Sequence, residues 1–210
     1  PSNDGEFVGG GEMSKEHYSV KNVSKFECEP LLRDHHYLTG ISKGFKSGFN
    51  VALFYKQNLN PLGVCIFTGF PTPELAVGAF GLPRDDQKGL WELSRLVLHP
   101  DPQKSEHNLS GWFLSQALRL LRQHQHVRAV LSYADQNYHA GTVYRATGFG
   151  YYGLTAKKKD FWSQMPDGTM CKQSRGKVSK IVGEWRDRSR KHRFMKVYDK
   201  KLDMKWELAK

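Results

Sequence analysis

The chain contains little cysteine. Its 210 residues include three cysteines, Cys28, Cys65 and Cys171, which are widely separated and form no C-x-x-C pair. An odd number of thiols at such spacing argues against a disulfide framework and against a structural zinc site. We therefore expect a protein that works in a reducing compartment such as the cytosol.

Long apolar segments are also missing. No stretch approaches the roughly 20 apolar residues that a membrane-spanning helix needs, so we expect no membrane partner. Residues 1–12 are polar and Gly-rich, without the basic-then-apolar order of a signal peptide. We interpret them as an expression-tag remnant, with the native chain beginning at Met13. The remaining length suits one domain.

Acidic residues are scarce in only one region. Residues 157–210 contain 17 lysines and arginines against 7 aspartates and glutamates, whereas the preceding 156 residues contain 15 against 14. A near-neutral body, 13–156, is thus followed by a basic C-terminal segment, 157–210, that is part of the body or packs on it. That segment also contains several aromatic residues: Phe161, Trp162, Trp185, Phe194, Tyr198 and Trp206. Basic residues interleaved with aromatics favour a nucleic acid as partner over a merely solvated basic face.

The first half of the chain predicts a helix and a hairpin. Glu29–Thr39 has an early proline, three leucines and a following glycine, which indicates a short helix. Phe49–Lys56 and Leu62–Phe70 are apolar runs separated by a turn cluster, and they predict an antiparallel hairpin. Pro71–Gly89 is rich in Pro, Gly and Asp, and we interpret it as a loop.

The second half alternates strands and helices. Trp91–His99 and the near-continuous apolar run Val127–Asp135 predict strands, and the long amphipathic stretch Asn108–Gln123 between them predicts a helix. Asn108 or the nearby Ser110 would cap that helix. His139–Thr147 predicts a short helix ended by Gly148. A strand–helix–strand order implies a right-handed crossover and two parallel strands, so the fold class is α/β with a mixed central sheet.

The stretch TVYRATGFGYYG, residues 142–153, resembles the last helix of GCN5-related acetyltransferases (GNAT). The resemblance implies a GNAT-like mixed sheet flanked by helices. It also implies that Tyr144 protonates a leaving thiolate, a reaction that suits a phenol. An alternative is that Tyr144 and Phe149 are simply core aromatics.

A glycine-rich pyrophosphate loop is absent. Ordinary GNAT domains carry, after the equivalent of the Trp91–His99 strand, a loop whose backbone N–H groups hold the pyrophosphate of coenzyme A at a helix N-terminus. Here that region reads DPQKSEHNLSGWFLS, with Gly111 as its one glycine. This departure puts the usual mode of acetyl-coenzyme A binding in doubt.

A series of short motifs resembles a narrower group, the phage Mom family of DNA-modification proteins. The motifs, from His35 to Phe194, are HHY, ELSRLVLHP, NLSGWFLSQALRLL, VLSYAD, GTVYRATGFGYYG and SRKHRF. The resemblance implies an anti-restriction transferase that adds a carbamoylmethyl group, or a related acyl or glycine-derived group, to the exocyclic amine of adenine in double-stranded DNA. It also implies a phage-encoded protein acting in the bacterial cytoplasm.

Arg95 interrupts an otherwise apolar strand. Burying an unpaired guanidinium is costly, so Arg95 needs a partner or a ligand, and Asp135 is the expected protein partner. Two interpretations stay open. The pair is a structural link between neighbouring strands, or both residues line the cleft at the carboxyl ends of the parallel strands.

His35, His36 and Tyr37 are either an exposed polar helix end or part of a ligand set. His36, Tyr37 and Asp135 offer nitrogen and oxygen ligands that suit iron, and the Mom resemblance implies an iron site at these three. The same resemblance implies catalytic roles for Tyr144, Asp135, Arg95 and Tyr37. It implies donor binding by Ser110, Arg95 and Tyr144, while Ser132 either supports the site or only fills its strand. The donor is acetyl-coenzyme A or another acyl or glycine derivative.

The basic run that follows Ser189 resembles the family's basic segment and predicts DNA phosphate contacts, which position DNA without reading its sequence. An adenine amine inside a duplex is reached by flipping the base out, and Tyr133, Tyr138 and Trp162 are candidates to stack on it. A homodimer is left open. The predicted DNA-binding residues are Lys157, Lys158, Lys159, Arg190, Lys191, His192 and Arg193.

Two other functions remain. One is an ordinary GNAT acetyltransferase acting on aminoacyl-tRNA or protein amines, and the other is a DNA-binding protein with a GNAT-like scaffold and no catalysis. The first is disfavoured by the missing pyrophosphate loop. The second would not need Tyr144, Asp135 or His36.

Overall fold

A mixed sheet of seven strands forms the centre of the protein. The computed structural model describes residues 15–35, 45–173 and 182–209. In chain order the strands are β1 (Tyr18–Asn22), β2 (Phe49–Tyr55), β3 (Gly63–Gly69), β4 (Leu90–Leu98), β5 (Ala129–Asp135), β6 (Gly150–Leu154), β7 (Lys158–Gln164), β8 (Met170–Lys172), β9 (Glu184–Arg188) and β10 (Lys191–Val197). The helices are α1 (Lys25–His35), α2 (Pro73–Phe80), α3 (Pro100–Ser105), α4 (Leu109–His124) and α5 (Thr142–Ala146).

The strands form two sheets. The central sheet has the order β1–β2–β3–β4–β5–β10–β6, and a smaller sheet has the order β8–β7–β9. Strands β2 and β3 form the predicted antiparallel hairpin, and β4 and β5 are parallel, as the crossover through α4 requires. The predicted α/β class with a mixed central sheet is therefore confirmed.

Helix α1 begins four residues before the predicted start. The Glu27 carboxylate accepts a hydrogen bond from the Ser24 N–H at 2.7 Å, and the Ser24 hydroxyl accepts one from the Glu27 N–H at 3.4 Å. This reciprocal capping box sets the N-terminus, so Pro30 lies inside the helix rather than at its start. The last four residues of the predicted helix lie outside the described residues.

The predicted loop Pro71–Gly89 is wrong, because it contains α2. Pro73 occupies the first helical turn, where its missing N–H costs no hydrogen bond. Gly81 ends the helix in the left-handed conformation, and its N–H donates to the Val77 carbonyl at 2.8 Å. Proline and glycine thus bound a helix here rather than marking a continuous loop.

Helix α5 begins later than predicted, at Thr142. Gly141 precedes it with a φ of +74°, and a Cβ atom there would lie 2.3 Å from the Phe194 ring. Gly148 follows the helix with a φ of +78°. The two glycines allow a five-residue helix to turn sharply at both ends and pack closely on β10.

The basic segment 157–210 is divided between the two sheets. Residues 158–188 contain β7, β8 and β9, which form the small sheet, whereas β10 lies inside the central sheet between β5 and β6. Residues 191–197 pair with β5 along its whole length. The small sheet is thus an insertion between two neighbouring strands of the central sheet.

The two faces of the central sheet are packed differently. One face, which we call the aromatic face, is covered by α4 and α5 over a single large apolar cluster that includes Phe113, Tyr144 and Phe194. The other face, which we call the charged face, has two apolar clusters. One lies beneath α1 and the other beneath α2. The ordinary alternation of side chains along each strand assigns residues to one face or the other.

No helix in the described ranges is long and apolar enough to cross a membrane.

Candidate active site

The parallel strands β4 and β5 separate halfway along their length. They pair from Leu90 to Leu93 on β4 and from Ala129 to Ser132 on β5. Beyond that point β4 continues its pairing with β3, and β5 continues its pairing with β10. We call the resulting gap at the carboxyl ends of the two strands the fork. Ligands of open α/β sheets bind at such places.

Ser132 lies at the point where the strands separate. Its side chain is fully buried, and its hydroxyl donates to the Leu93 carbonyl of the opposite strand at 3.3 Å. The structure therefore gives Ser132 a contact across the base of the fork. Its predicted role in donor binding stays a prediction.

Tyr144 lies on the aromatic face of the fork. Its side chain is buried, and its ring centroid lies 5.1 Å from that of Phe194 and 5.7 Å from that of Phe149. The imidazole of His139 lies 6.5 Å away between centroids. Burial lowers the pKa of His139, an effect that His192 adds to and Asp135 opposes. Burial thus favours the neutral form of the His139 imidazole near the predicted catalytic phenol.

Asp135 ends β5 and is held by neighbours. Ser189 donates its hydroxyl proton to one oxygen of the carboxylate, and the Asn137 N–H donates to the same oxygen at 3.1 Å. Lys191 pairs with Asp135 in the antiparallel register of β5 and β10. The basic strand therefore begins directly beside the predicted catalytic carboxylate.

The expected ion pair between Arg95 and Asp135 is not formed. Arg95 donates to the carbonyl of Ser94 at 2.7 Å, and no salt bridge joins it to Asp135 in the ranges that the structure covers. The fork explains the difference, because β4 and β5 have already separated at these positions. The interpretation in which both residues line the cleft stays a prediction.

A row of polar side chains crosses the charged face at the fork, between the two apolar clusters. Glu92 and Arg95 come from β4, and the row continues across β5 and β10. Burial raises the pKa of Glu92, while the positive charges of Lys191 and Arg95, with that of Lys46, oppose the rise. The charged row, as we call it, consists of Glu92, Arg95, Tyr133, Asp135, Lys191 and Arg193.

Other members of the charged row also have perturbed protonation. Burial raises the pKa of Tyr133 to about 12, helped by Glu92 and opposed by Arg193. Burial lowers the pKa of Lys191, and Arg188 lowers it further, whereas Asp135 and Glu92 oppose that change. Clustered perturbed groups in a cleft are a common mark of functional sites.

The N-terminus of α4 carries a buried carboxylate instead of a glycine loop. An oxygen of Glu106 and the hydroxyl of Tyr18 are both buried there, and Glu106 helps burial to raise the pKa of Tyr18. Asn108 precedes the helix in the left-handed conformation, and its side chain makes no capping hydrogen bond. Ser110, a predicted donor-binding residue, lies in the first turn. A carboxylate at this helix end disfavours a pyrophosphate.

The predicted DNA-binding residues fall into two groups. Lys157, Lys158 and Lys159 are exposed at the start of the small sheet. The run 190–193 is half-buried and has internal contacts: for example, Arg190 donates to the Thr155 carbonyl at 2.7 Å, and His192 lies 2.8 Å from the Tyr151 hydroxyl. Phosphate contact by both groups stays a prediction.

The predicted iron site finds one of its three ligands in the described residues. Asp135 is described, whereas His36 and Tyr37 lie outside those residues. No group of three His, Cys, Asp or Glu side chains that could hold a metal occurs in the portion that is described. The described side chains therefore do not form a fitting iron site.

Glu92 is the residue that sequence reasoning missed. It lies half-buried on β4, three positions before Arg95, and forms no hydrogen bond or ion pair within residues 15–35, 45–173 and 182–209. The signal was present, since a carboxylate in the apolar run of β4 is as unusual as the guanidinium that drew attention to Arg95.

A comparison with protein-family models supplies the family. The Mom protein family matches residues 17–206, which is most of the chain. The chain belongs to the Mom family. A search of curated proteins gives no significant match.

Solved structures place this Mom-family chain in the GNAT fold. It is similar to the ribosomal-protein-S18-alanine N-acetyltransferase from Escherichia coli, with 12% identity, coverage of 87% of this chain and 94% of that one, and a TM-score of 0.50. The ribosomal-protein-S5-alanine acetyltransferase from Vibrio fischeri has 13% identity, coverage of 91% and 96%, and a TM-score of 0.51.

An IAA acetyltransferase from Bacillus cereus is 11% identical, with coverage of 86% of this chain and 99% of that one and a TM-score of 0.52. At such identities the likeness shows the fold alone. The Mom family and the GNAT-like fold together support a GNAT-like transferase.

Proposed function

We propose that this protein is a GNAT-like transferase that adds a carbamoylmethyl group, or a related glycine-derived or acyl group, to the exocyclic amine of adenine in double-stranded DNA. The Mom-family match over residues 17–206 is the observation that carries the proposal. The modified DNA would resist restriction in the bacterial host.

The fork supports this function because side chains suited to proton transfer lie near it on both faces of the sheet. Tyr144 lies on the aromatic side, and Glu92 lies on the charged side. A donor and an acceptor can therefore approach the gap from opposite faces. Each finds a side chain suited to proton transfer, and an arrangement of this kind brings two reactants together at one place.

The transfer requires one proton to leave and one to be supplied. The adenine amine attacks the donor carbon, the bond from that carbon to the leaving group breaks, and the leaving group takes the electron pair and a proton from Tyr144. Glu92 accepts the amine proton, because its raised pKa makes it a stronger base and it has no hydrogen bond among the described side chains. Asp135, held by Ser189, positions the end of β5.

The donor is the least constrained part of the proposal. A carbamoylmethyl product is bonded to adenine through a methylene carbon, so acyl transfer from a thioester does not give it directly. Glu106 at the start of α4 also disfavours a bound pyrophosphate. Both points favour a glycine-derived donor over acetyl-coenzyme A in its usual mode.

Mass spectrometry of nucleosides tests the function. Plasmid DNA is isolated from bacteria that express the full chain, digested and compared with DNA from cells that express Tyr144→Phe. We expect deoxyadenosine with the added carbamoylmethyl mass in the first sample and a loss of about 100-fold or more in the second, the range typical of a removed general acid.

Tyr198→Phe is the matched control. Tyr198 follows β10 at the end away from the fork, and its ring lies 4.5 Å from the guanidinium of Arg122. Its modification yield should equal that of the wild type. Unmodified DNA in the presence of folded protein would contradict the proposal, and an acetylated tRNA or protein amine would replace it with the ordinary GNAT function.

A further inference from the structure

The charged row lies where neither helix covers the sheet. On β4 its neighbour Leu90 belongs to the cluster beneath α2, and Val97 belongs to the cluster beneath α1. Between these two positions the charged face presents Glu92 and Arg95 instead of apolar side chains. The same side of β5 and β10 turns from apolar to polar at the same level, at Tyr133 and Arg193.

The register brings the row together. Arg193 on β10 pairs with Tyr133 on β5, and the next pair on the same face is Lys191 with Asp135. Glu92 on β4 pairs with Leu131, one pleat before Tyr133. Neighbouring strands are about 4.8 Å apart, so these side chains surround one small area of the sheet.

The charged groups of the row interact electrostatically without forming salt bridges. Glu92 is within electrostatic range of Lys191 and Arg95, yet no salt bridge joins members of the row in the part of the chain that is described. Arg193 donates to the Tyr152 carbonyl at 2.8 Å, but its Nε is buried without a hydrogen-bond partner among the described residues. Buried donors of this kind need a partner.

Positive charge dominates the area. Three cations of the row, Arg95, Lys191 and Arg193, face two carboxylates, and one oxygen of Asp135 is already taken by Ser189. Cationic side chains that crowd together without direct acidic partners repel one another until an anion binds between them.

We propose that the charged row binds an oxyanion of a reactant, held by Arg95, Lys191 and Arg193 on the charged side of the fork. Guanidinium groups form paired hydrogen bonds to phosphate and to carboxylate alike, so this chemistry fits either. The oxyanion comes from the phosphate of the target nucleotide or from the carboxylate of a glycine-derived donor. The identity of these two candidate ligands rests on the proposed function, whereas the site itself does not.

Calorimetric titration of the full chain at low salt tests the site. Two matched ligand pairs separate the sources: deoxyadenosine monophosphate with deoxyadenosine, and glycine with glycinamide. Each pair differs in the presence of the oxyanion. In at least one of the two pairs, we expect measurable binding of the ligand that carries the oxyanion and none of the ligand that lacks it.

Charge-removing variants locate the site. Lys191→Met and Arg95→Met should each weaken binding of that ligand about 10- to 100-fold, the effect of losing one hydrogen bond to a charged group. Lys200→Met removes an exposed lysine elsewhere and should leave binding unchanged. If Lys191→Met does not fold by circular dichroism, Arg95→Met provides the result.

Each outcome decides the inference. Phosphate-dependent binding assigns the site to the nucleotide, and carboxylate-dependent binding assigns it to the donor. The site is overturned if the wild type binds neither oxyanion, if neither variant weakens binding, or if Lys200→Met weakens it equally. Because no turnover is measured, binding that needs Lys191 in a protein that leaves DNA unmodified would refute the proposed function and keep the site.

Discussion

The two faces of the central sheet use the same strands for different purposes. On the aromatic face, Phe194 and Ser132 are adjacent in register, fully buried and continuous with one apolar cluster beneath α4 and α5. The next pair in the register, Arg193 with Tyr133, points to the other face and belongs to the charged row. A strand alternates its faces at every residue, so a core and a reactive surface can be built back to back.

The difference between the two faces predicts which substitutions should change stability and which should change activity. Substitutions on the aromatic face remove buried apolar contacts, whereas charge removal on the charged face removes a partly buried charge that has no salt-bridge partner in the row. Truncation of a buried apolar side chain on the aromatic face should lower the free energy of unfolding, whereas charge removal on the charged face should leave the protein folded and inactive.

The largest expected effect is on the aromatic face. Phe194→Ala should lower the free energy of unfolding by about 3–5 kcal/mol, because it leaves a cavity where a fully buried aromatic ring was packed. The ring of Phe194 lies 5.1 Å from Tyr144 and 5.2 Å from Tyr151 between centroids. Urea denaturation measures the change. Tyr133→Phe is the matched variant on the charged face and should change stability by less than about 1 kcal/mol. Equal losses in the two variants would remove the distinction between the faces.

The next effect is on the charged face and concerns activity. Glu92→Gln should reduce adenine modification about 100-fold, because the amide cannot accept a proton. Its free energy of unfolding at neutral pH should be equal to that of the wild type or higher. A variant that is destabilised but fully active would show that Glu92 is structural.

The pH dependence of stability sharpens the same test. The pKa of Glu92 is raised in the folded state, so the folded protein binds its proton more tightly than the unfolded chain. The wild type should therefore lose stability as the pH rises from the ordinary Glu value through the raised one. Glu92→Gln lacks this group, so its advantage over the wild type should grow across that interval and then stay constant. Denaturation curves across this pH range measure the difference.

The smallest effect lies outside both faces. Replacing Lys157, Lys158 and Lys159 by Met should weaken binding to duplex DNA on the order of 10-fold and reduce the salt slope by about 3, since it would remove three predicted phosphate contacts. Fluorescence anisotropy at several salt concentrations measures both. Binding of deoxyadenosine monophosphate should not change. An unchanged salt slope would remove the small sheet from the DNA-binding surface.

Local sequence patterns predict the elements of the fold that are formed by residues close together in the chain. The β2–β3 hairpin and the parallel pair β4 and β5 follow from apolar runs and a long amphipathic helix between strands. The sequence does not predict helix α2, because Pro73 and Gly81 are typical of loops, although proline is also common in the first turn of a helix and glycine directly after its last residue.

The arrangement of the site depends on contacts that no local pattern contains. The pairing of β10 with β5 joins residues more than 50 positions apart, and it decides that Lys191 lies beside Asp135. The divergence of β4 from β5 likewise separates Arg95 from its expected partner. Family resemblance proposed Arg95, Asp135 and Tyr144 as site residues, but the assembly of the charged row required the register.

The central position of β10 has a consequence for synthesis on the ribosome. Strand β5 has been synthesised by residue 135, but the strand that pairs with its open edge is complete only at residue 197. During those 62 residues of translation the edge of β5 has no native partner, and unpaired edges promote aggregation. A nascent chain halted before residue 191 should therefore need chaperones, and its fork should lack the cations that β10 contributes until that strand has been synthesised.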